Sequence, residues 1–233
     1  RRQRQMCIRD RPYVGELHHI DIGISRNQLC KIESQNLKIT YQDLKTINLP
    51  LLPKNCSKYE RGKTLLIAGS QKYPGAAHLA IKGAISSGAG FVSAILPDVV
   101  AKSVWQIEPE VVVKGRLNCD ADGNSILFDA IKNLDLSFYD SIVIGPGIGL
   151  DKDDWEKSTK YLLDFKSLLI LDADALNRIS KSNLGSKFFL ERKSDTWITP
   201  HKREFIRLFP DIDCRNNVGL TMKAAREFNI SVL

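Results

Sequence analysis

Residues 64–80, TLLIAGSQKYPGAAHLA, decide how the chain folds. The four apolar-leaning residues at its start predict a short buried strand, and the stretch with glycine and proline after them predicts a turn. The alanine-rich segment GAAHLAIKGAISSG then predicts a helix. A strand, a tight turn and a helix form the repeating unit of parallel sheets, so this stretch favours an α/β fold.

The same alternation continues along the chain. Further apolar runs are FVSAILP, EVVVKG, SIVIGPG, SLLILDAD and TWITPH, and helical segments such as DDWEKSTKYLLDF separate several of them. Because these runs are apolar throughout, we expect strands that are buried on both faces of a mostly parallel sheet. Helices should cover both faces of that sheet.

Composition and charge narrow the class of protein. Apolar residues make up 43% and charged residues 26%, which is typical of a soluble globular protein, and neither a membrane-spanning run nor a signal peptide is found. The net charge of +7 is spread along the chain and mixed with acids, which favours anionic small molecules over nucleic acid. The scattered cysteines favour reduced thiols and a cytoplasmic location. These cysteines are Cys7, Cys30, Cys56, Cys119 and Cys214.

Ligands of an open parallel sheet bind outside the carboxyl ends of the strands, so the residues after each apolar run are candidates. The first candidate is AGSQKYPGAA, residues 68–77, which we call the first turn. Its Gly75 can present backbone N–H groups to an anion at the start of the helix. Alternatively, Gly75, Ala76 and Ala77 are small only so that the helix can approach the sheet. No G-K-[ST] follows, so the turn is not a phosphate-binding P-loop. His78 is assigned no role.

The next candidate is the loop GPGIG, which contains Gly145, Gly147 and Gly149 around one proline. Such a loop allows a ligand to approach the backbone closely, although a plain tight turn would also explain it. In DADAL, Asp172 and Asp174 end an apolar run. Their carboxylates could bind magnesium through water or orient a ribose, and Asp174 could instead cap a helix.

The last candidate lies in TPHKREFIRLF, where His201 precedes a helix that contains Glu204 and Phe205. An imidazole there could hydrogen-bond an amide or a phosphate of a ligand. A structural histidine explains the position equally well.

Six motifs in one order resemble the NAD(P)H-hydrate dehydratase family. They are KTLLIAGSQKYPGAAHLA, SSGAGFVSAILP, IEPEVVV, GPGIG, LDADAL and TPHKREFIRLF. The resemblance covers residues 55–233, which we interpret as the dehydratase domain. Residues 1–24 end in a segment similar to the tail of the epimerase domain that precedes the dehydratase in many bacterial members, and residues 25–54 are interpreted as a linker.

The resemblance implies a ribokinase-like three-layer α/β/α sandwich. It implies ADP-dependent dehydration of (6S)-NAD(P)HX, the hydrated NADH or NADPH, to NAD(P)H with release of AMP and phosphate. ATP replaces ADP in eukaryotic members, and Mg²⁺ is the implied metal. Partners would be these small molecules and further copies of the chain in a homo-oligomer such as a tetramer, with no nucleic acid and no membrane.

The resemblance also implies roles for particular residues. Ala76, Gly147, Gly149 and His201 would line the substrate site. Glu204 and Phe205 would support the wall that His201 belongs to. Asp172 would lie near the phosphates or their magnesium.

The sequence departs from the family pattern at one place. After ISVL the family continues through a KG contact to a GTGD motif, which provides the anion hole and the catalytic aspartate, and this sequence contains neither. The family aspartate would therefore lie beyond Leu233. The chain also opens on arginine. We expect a fragment that lacks the last strands of the sheet, contains no catalytic residue of its own, folds incompletely and does not turn over.

Two alternatives stay open. One is a ribokinase-like kinase of another small molecule, although TPHKREF and the epimerase-like tail argue against it. The other is a non-catalytic nucleotide-binding protein derived from the enzyme. A Rossmann dehydrogenase fits less well, because the first turn is not G-x-G-x-x-G and no acidic residue ends FVSAILP.

Overall fold

The computed structural model describes Tyr41, residues 55–212 and residues 217–233. The chain divides after residue 51, and the described fold lies in the second unit, residues 52–233. The expected epimerase-like tail and most of the expected linker lie outside the described residues, as do Cys7, Cys30 and Cys214. No helix in the described part of the chain is both long and apolar enough to cross a membrane.

Strands and helices alternate as the sequence predicts. The strands are β1 (Lys63–Ile67), β2 (Phe91–Pro97), β3 (Val112–Cys119), β4 (Ser125–Ile126), β5 (Ser141–Ile144), β6 (Leu168–Leu171), β7 (Thr196–Ile198) and β8 (Ser231–Val232). The α-helices are α1 (Pro74–Ser86), α2 (Asp98–Ala101), α3 (Phe128–Ile131), α4 (Lys152–Asp164), α5 (Asp174–Lys181), α6 (Lys187–Glu191), α7 (Lys202–Leu208) and α8 (Asn217–Phe228). Short 3₁₀ turns lie at Val104–Gln106 and Leu136–Phe138.

The strands form one sheet in the order β4-β3-β2-β1-β5-β6-β7-β8. All neighbouring pairs are parallel except β3 and β4, which are antiparallel. The chain builds the sheet outward from β1 through β2 and β3, and then returns to the other side of β1 with β5. The mostly parallel sheet is confirmed, and its order reverses between β1 and β5.

The central strand β1 is buried on both faces, which explains its unbroken apolar run. Leu65 and Ile67 point into the larger hydrophobic cluster on one face of the sheet. Leu66 points to the opposite face, where it joins a smaller cluster with Ala77 and Ile81 of α1. Side chains that alternate along a strand thus supply two cores, one under each layer of helices.

Strand β3 is largely exposed, so the expectation that every apolar run is buried on both faces was wrong for this strand. Val112, Val113 and Lys114 are exposed. Along most of its length β3 pairs only with β2, because β4 reaches only as far as Asn118 and Cys119. The apolar run therefore identified a strand correctly but not its place near the edge of the sheet.

The last described strand, β8, lies beside β7 at the other side of the sheet. Its pairing joins Trp197 to Ser231 and Ile198 to Val232. Leu233 follows it, and its N–H donates to the carbonyl oxygen of Ile198 at 3.0 Å, while its side chain is 72% exposed. The short run ISVL thus contains a strand. Leu233 is the last residue described, so the expectation of further strands stays a prediction.

Candidate active site

The candidate site lies where the carboxyl ends of β1 and β5 meet. The N–H of Gly69, after β1, donates to the carbonyl oxygen of Pro146 at 2.7 Å. The N–H of Gly145, after β5, donates to the carbonyl oxygen of Ile67 at 3.3 Å. These two bonds join the first turn to residues 145–149, which we call the glycine loop. Ligands of open α/β sheets bind at such a reversal of strand order.

Gly147 of the glycine loop packs directly against the first turn. A Cβ added to Gly147 would lie 2.6 Å from the Cβ of Ala76 and 2.9 Å from the Cβ of Tyr73, and its φ is +68°. Ala77 is fully buried beside Gly69, so helix–sheet packing does require small residues in this turn. By contrast, an atom added to Gly75 would meet nothing within 4 Å, so the start of α1 has open space beside it.

Asp172 is held between β6 and β7. Its Oδ1 accepts hydrogen bonds from the N–H of Ala173 and from the hydroxyl of Thr199, both at 2.8 Å. The next peptides form a tight turn, closed by a bond from the N–H of Ala175 to the carbonyl oxygen of Asp172 at 3.1 Å. Ala173 has φ 48° and ψ −114° there, a conformation that favours glycine and costs other residues roughly 1–3 kcal/mol.

Asp174 does not cap the helix that it begins, so that alternative is wrong. Helix α5 has Ala173 at its N-cap position without a side-chain bond. The Oδ2 of Asp174 instead accepts from the N–H of Gly149 at 2.9 Å. The carboxylate therefore connects the glycine loop to α5.

His201 is the N-cap of α7. Its Nδ1 accepts from the N–H groups of Arg203 at 3.1 Å and Glu204 at 3.3 Å, and Glu204 Oε2 accepts from the N–H of His201 at 2.9 Å. This reciprocal arrangement is a capping box. Because Nδ1 accepts, the hydrogen-bond network assigns the proton of a neutral ring to Nε2, which lies 3.1 Å from Glu204 Oε1. The histidine thus caps α7, and 60% of its side chain is exposed at the carboxyl edge.

The two residues that follow His201 in the expected site are both buried. Glu204 is 6% exposed and serves the capping box. Phe205 is also 6% exposed, and its ring lies 5.0 Å from that of Phe209, centroid to centroid. Phe205 therefore belongs to the core beneath the wall that carries His201.

The position of the catalytic aspartate that the family resemblance implies stays a prediction. We expect it beyond Leu233, and Leu233 is the last residue that the structure describes. The expectation that this chain holds no catalytic residue of its own therefore stays a prediction.

Sequence reasoning missed a buried arginine under the glycine loop. The side chain of Arg178 is fully buried, and its Nη1 lies 2.7 Å from Oδ2 of Asp154. It also donates to the carbonyl oxygens of Gly149 at 2.7 Å and Ile148 at 3.0 Å. A signal was present, because Arg178 lies three residues after Ala175 on the face of α5 that the pattern marks as apolar.

Burial disfavours the charged forms of both Arg178 and Asp154. It lowers the pKa of Arg178, which the charge of Asp154 partly restores. It raises the pKa of Asp154, although the N–H groups of Phe128 and Leu127 and the charge of Arg178 lower it. Removing either partner would leave a buried charge without compensation, so each member depends on the other.

The turn between β3 and β4 is a further wall that the sequence did not indicate. Asn124 ends this turn, and its N–H donates to Oδ1 of Asp120 at 2.7 Å. Its Oδ1 accepts from the N–H of Leu150 at 3.3 Å, and a Cβ added to Gly149 would lie 2.3 Å from that same oxygen. The glycine loop is thus enclosed by the first turn, by α5 and by this hairpin turn.

Comparison with known proteins identifies the family. The pattern of the NAD(P)H-hydrate dehydratase family matches residues 64–233. The bifunctional NAD(P)H-hydrate repair enzyme of Synechocystis is 34% identical over 224 residues, 95% of this chain and 41% of that enzyme. The enzyme of the same description from Gloeobacter violaceus is 33% identical over 217 residues, 91% of this chain and 41% of that enzyme. The chain thus spans about two fifths of the length of these relatives.

Solved structures confirm the fold. The ADP/ATP-dependent NAD(P)H-hydrate dehydratase of Bacillus subtilis, crystallised with ATP and Mg²⁺, is similar with a TM-score of 0.63 and 25% identity over 79% of this chain and 61% of that one. A ribokinase-like protein of Enterococcus faecalis has a TM-score of 0.60 and 23% identity over 78% of this chain and 60% of that one. The sheet with helices on both faces is therefore ribokinase-like, and the chain belongs to the NAD(P)H-hydrate dehydratase family.

Proposed function

We propose that this chain acts in the repair of nicotinamide cofactors, by ADP-dependent dehydration of (6S)-NADHX or (6S)-NADPHX to NADH or NADPH. The observation that carries the proposal is the meeting of the first turn and the glycine loop at the point where the strand order reverses, with Asp172 at the end of the next strand, β6. Ligands of open α/β sheets bind at such a reversal of strand order, so a small-molecule substrate suits this place. The family match over residues 64–233 supplies the reaction class.

The chemistry explains why a nucleotide is needed. Hydroxide is a poor leaving group, whereas phosphate is a good one. Transfer of the terminal phosphoryl group of ADP to the ring hydroxyl releases AMP. The C–O bond then breaks with the help of the ring nitrogen lone pair, phosphate leaves, and the adjacent ring carbon loses a proton. Catalysis of such a step relies on positioning and charge neutralisation rather than on covalent chemistry.

In this proposal, Gly147 and Ala76 border the hydrated ring through their backbone, at the close contact between the glycine loop and the first turn. Gly149 is buried, and both its N–H and its carbonyl already have partners. Its proposed part is therefore to shape the loop beside the substrate. His201 offers its exposed ring edge to the same substrate, supported by Glu204 and, from the core, by Phe205. We assign the general base to none of these residues.

The donor set fits magnesium that arrives with a nucleotide. Among the described residues no group of three or more His, Cys, Asp or Glu could hold a metal ion. Asp172 offers one half-buried carboxylate at the end of β6. Magnesium in nucleotide sites commonly takes one or two carboxylates, with phosphate and water completing its shell. Asp172 would hold the metal in this way, and the bound metal would neutralise phosphoryl charge.

The proposal extends to the domain arrangement, the assembly and the location. The alignment with the Synechocystis enzyme covers 95% of the chain and so extends ahead of residue 64. This supports an epimerase tail at residues 1–24, a linker at 25–54 and the dehydratase domain at 55–233. The exposed apolar side chains of Trp105 and Ile107 support a homo-oligomer. The free thiols of Cys56 and Cys119 support a cytoplasmic location.

The test is recovery of the near-ultraviolet absorbance that NADH has and its hydrate lacks, with Mg²⁺ and either ADP or ATP. It should be run on this chain and on the complete product of its gene. We expect recovery from the complete product, with NADHX and NADPHX compared directly. A folded complete product that phosphorylates another alcohol but leaves both hydrates unchanged would favour the kinase alternative. Nucleotide binding without any turnover would favour the non-catalytic alternative.

A further inference from the structure

We propose that Arg178 is a positioning residue for the substrate, because its guanidinium fixes the conformation of the glycine loop. The proposal rests on the proposed function, in which this loop borders the hydrated ring. It concerns a residue that lies beneath the site and does not touch it. Its side chain is fully buried and is aimed at the loop from below.

The guanidinium holds one side of two consecutive peptide planes. Its Nη2 donates to the carbonyl oxygen of Ile148, and its Nε donates to that of Gly149. In a planar trans peptide, the carbonyl and the following N–H point in opposite directions. The N–H groups on the far side of these planes are those of Gly149 and Leu150, which donate to Asp174 and Asn124. Each plane is therefore held from both sides.

The loop needs such external contacts because of its composition. Gly145, Gly147 and Gly149 all have positive φ, and glycine gains access to many backbone conformations besides the one seen here. The loop supplies one bond of its own, from the N–H of Ile148 to the carbonyl oxygen of Gly145 at 3.2 Å. The conformation beside the substrate is thus selected largely by partners outside the loop, and Arg178 binds two of its carbonyls.

The shape of arginine matters for this role. A planar fork donates in several fixed directions at once, and here the remaining donors bind Ser125 O at 2.7 Å and Asp154 Oδ2 at 2.7 Å. A lysine at position 178 would keep a positive charge near Asp154. It could not serve both loop carbonyls and the hairpin carbonyl in these directions. Arg178→Lys therefore removes the forked donor geometry of the guanidinium and keeps the positive charge.

A second buried arginine, Arg192, serves as a matched control. It lies at the amino ends of β6 and β7, whereas the glycine loop follows the carboxyl end of β5. Arg192 is 3% exposed and donates to carbonyl oxygens at the end of α4, including that of Leu162 at 2.6 Å. Its Nε donates to Thr196 Oγ1 at 2.9 Å, at the start of β7. Burial lowers the pKa of Arg192 to about 10. Arg192→Lys thus removes a similar buried fork whose partners lie outside the glycine loop.

The first measurement is amide hydrogen exchange in the complete gene product. In Arg178→Lys we expect the amides of Gly149 and Leu150 to exchange about tenfold faster, the factor for loss of one hydrogen bond. In Arg192→Lys these amides should exchange as in the unchanged protein, while both variants lose thermal stability. Equal loop exchange in the two variants, or no change in either, would overturn the proposal.

The second measurement is steady-state dehydration well below both melting temperatures. Arg178→Lys should raise KM for the hydrate about tenfold with a smaller change in kcat, whereas Arg192→Lys should leave KM unchanged. A loosened loop with unchanged KM would make Arg178 structural only and overturn its positioning role. If the unchanged protein dehydrates neither hydrate, the proposed function fails, and the exchange data still decide whether Arg178 fixes the loop.

A second variant tests the proposal if Arg178→Lys does not fold. The double variant Arg178→Gln/Asp154→Asn removes both charges together, so no uncompensated charge is buried. It should show the same faster exchange at Gly149 and Leu150 and the same rise in KM. Unchanged exchange and KM in the folded double variant would overturn the proposal.

Discussion

Replacing Gly147 by alanine tests how closely the first turn and the glycine loop are packed. Alanine at φ +68° costs roughly 1–2 kcal/mol in backbone strain. The new Cβ would lie 2.6 Å from the Cβ of Ala76, against about 3.5–4.0 Å for an ordinary carbon contact. Relieving that overlap costs roughly 1–3 kcal/mol, and the stiffer unfolded chain returns about 0.4–1 kcal/mol. The net loss is about 3 kcal/mol.

For a domain of this size the loss corresponds to a melting temperature lower by roughly 10 °C, measured by circular dichroism. Gly83→Ala is the control, because Gly83 lies inside α1 with nothing within 4 Å of an added Cβ. That change should raise stability by about 1 kcal/mol. If Gly147→Ala melts at or above the temperature of the unchanged protein, the turn and the loop are not in the contact described. Dehydration should fall with Gly147→Ala, since the loop must shift away from Ala76.

Three further predictions concern the other strand ends. Ala173→Gly should stabilise the fold by about 1 kcal/mol, because it relieves backbone strain of roughly 1–3 kcal/mol and costs only about 0.5–1 kcal/mol in chain entropy. A lower melting temperature of this variant would contradict the strain at Ala173. His201→Asn should keep the helix cap, whereas His201→Ala should lower the free energy of unfolding by about 1 kcal/mol. If His201→Asn loses activity but keeps its melting temperature, the histidine contacts the substrate in addition to capping the helix. Asp172→Asn keeps an acceptor for Thr199 but removes the charge, so the Mg²⁺ concentration for half-maximal dehydration should rise about tenfold; an unchanged Mg²⁺ titration would remove Asp172 from the metal site.

Local patterns were sufficient to predict the longer strands of the sheet, but not the two-residue strand β4. Leu65, Leu66 and Ile67 form an apolar run because β1 is covered on both faces, and that run is visible in the sequence. The small residues Ala76 and Ala77 indicated close packing of α1 for a similar local reason. The sheet and its parallel direction followed from these signals.

Non-local contacts could not be predicted in the same way. Nothing local distinguishes Val112 on an exposed strand from the same residue type on a buried one, because strand order is set by distant pairings. Asp174 looks like a helix cap until Gly149, a residue 25 positions earlier, is found beside it. The position of Arg178 on the apolar face of α5 is a local signal, but its partner Asp154 is 24 positions away and no local pattern indicates it.

The pairing of β1 with β5 has a consequence for how the protein folds. The hydroxyls of Thr64 and Ser141 lie 2.9 Å apart across this pair, although 77 positions separate them in the chain. Closing a loop of that length costs roughly 4 kcal/mol in chain entropy from the length-dependent term alone, so this pairing should form slowly. A chain with β1, β2 and β3 already paired would meanwhile expose the bare side of β1. That apolar edge could recruit a strand from another molecule, which makes misassembly during folding the hazard built into this topology.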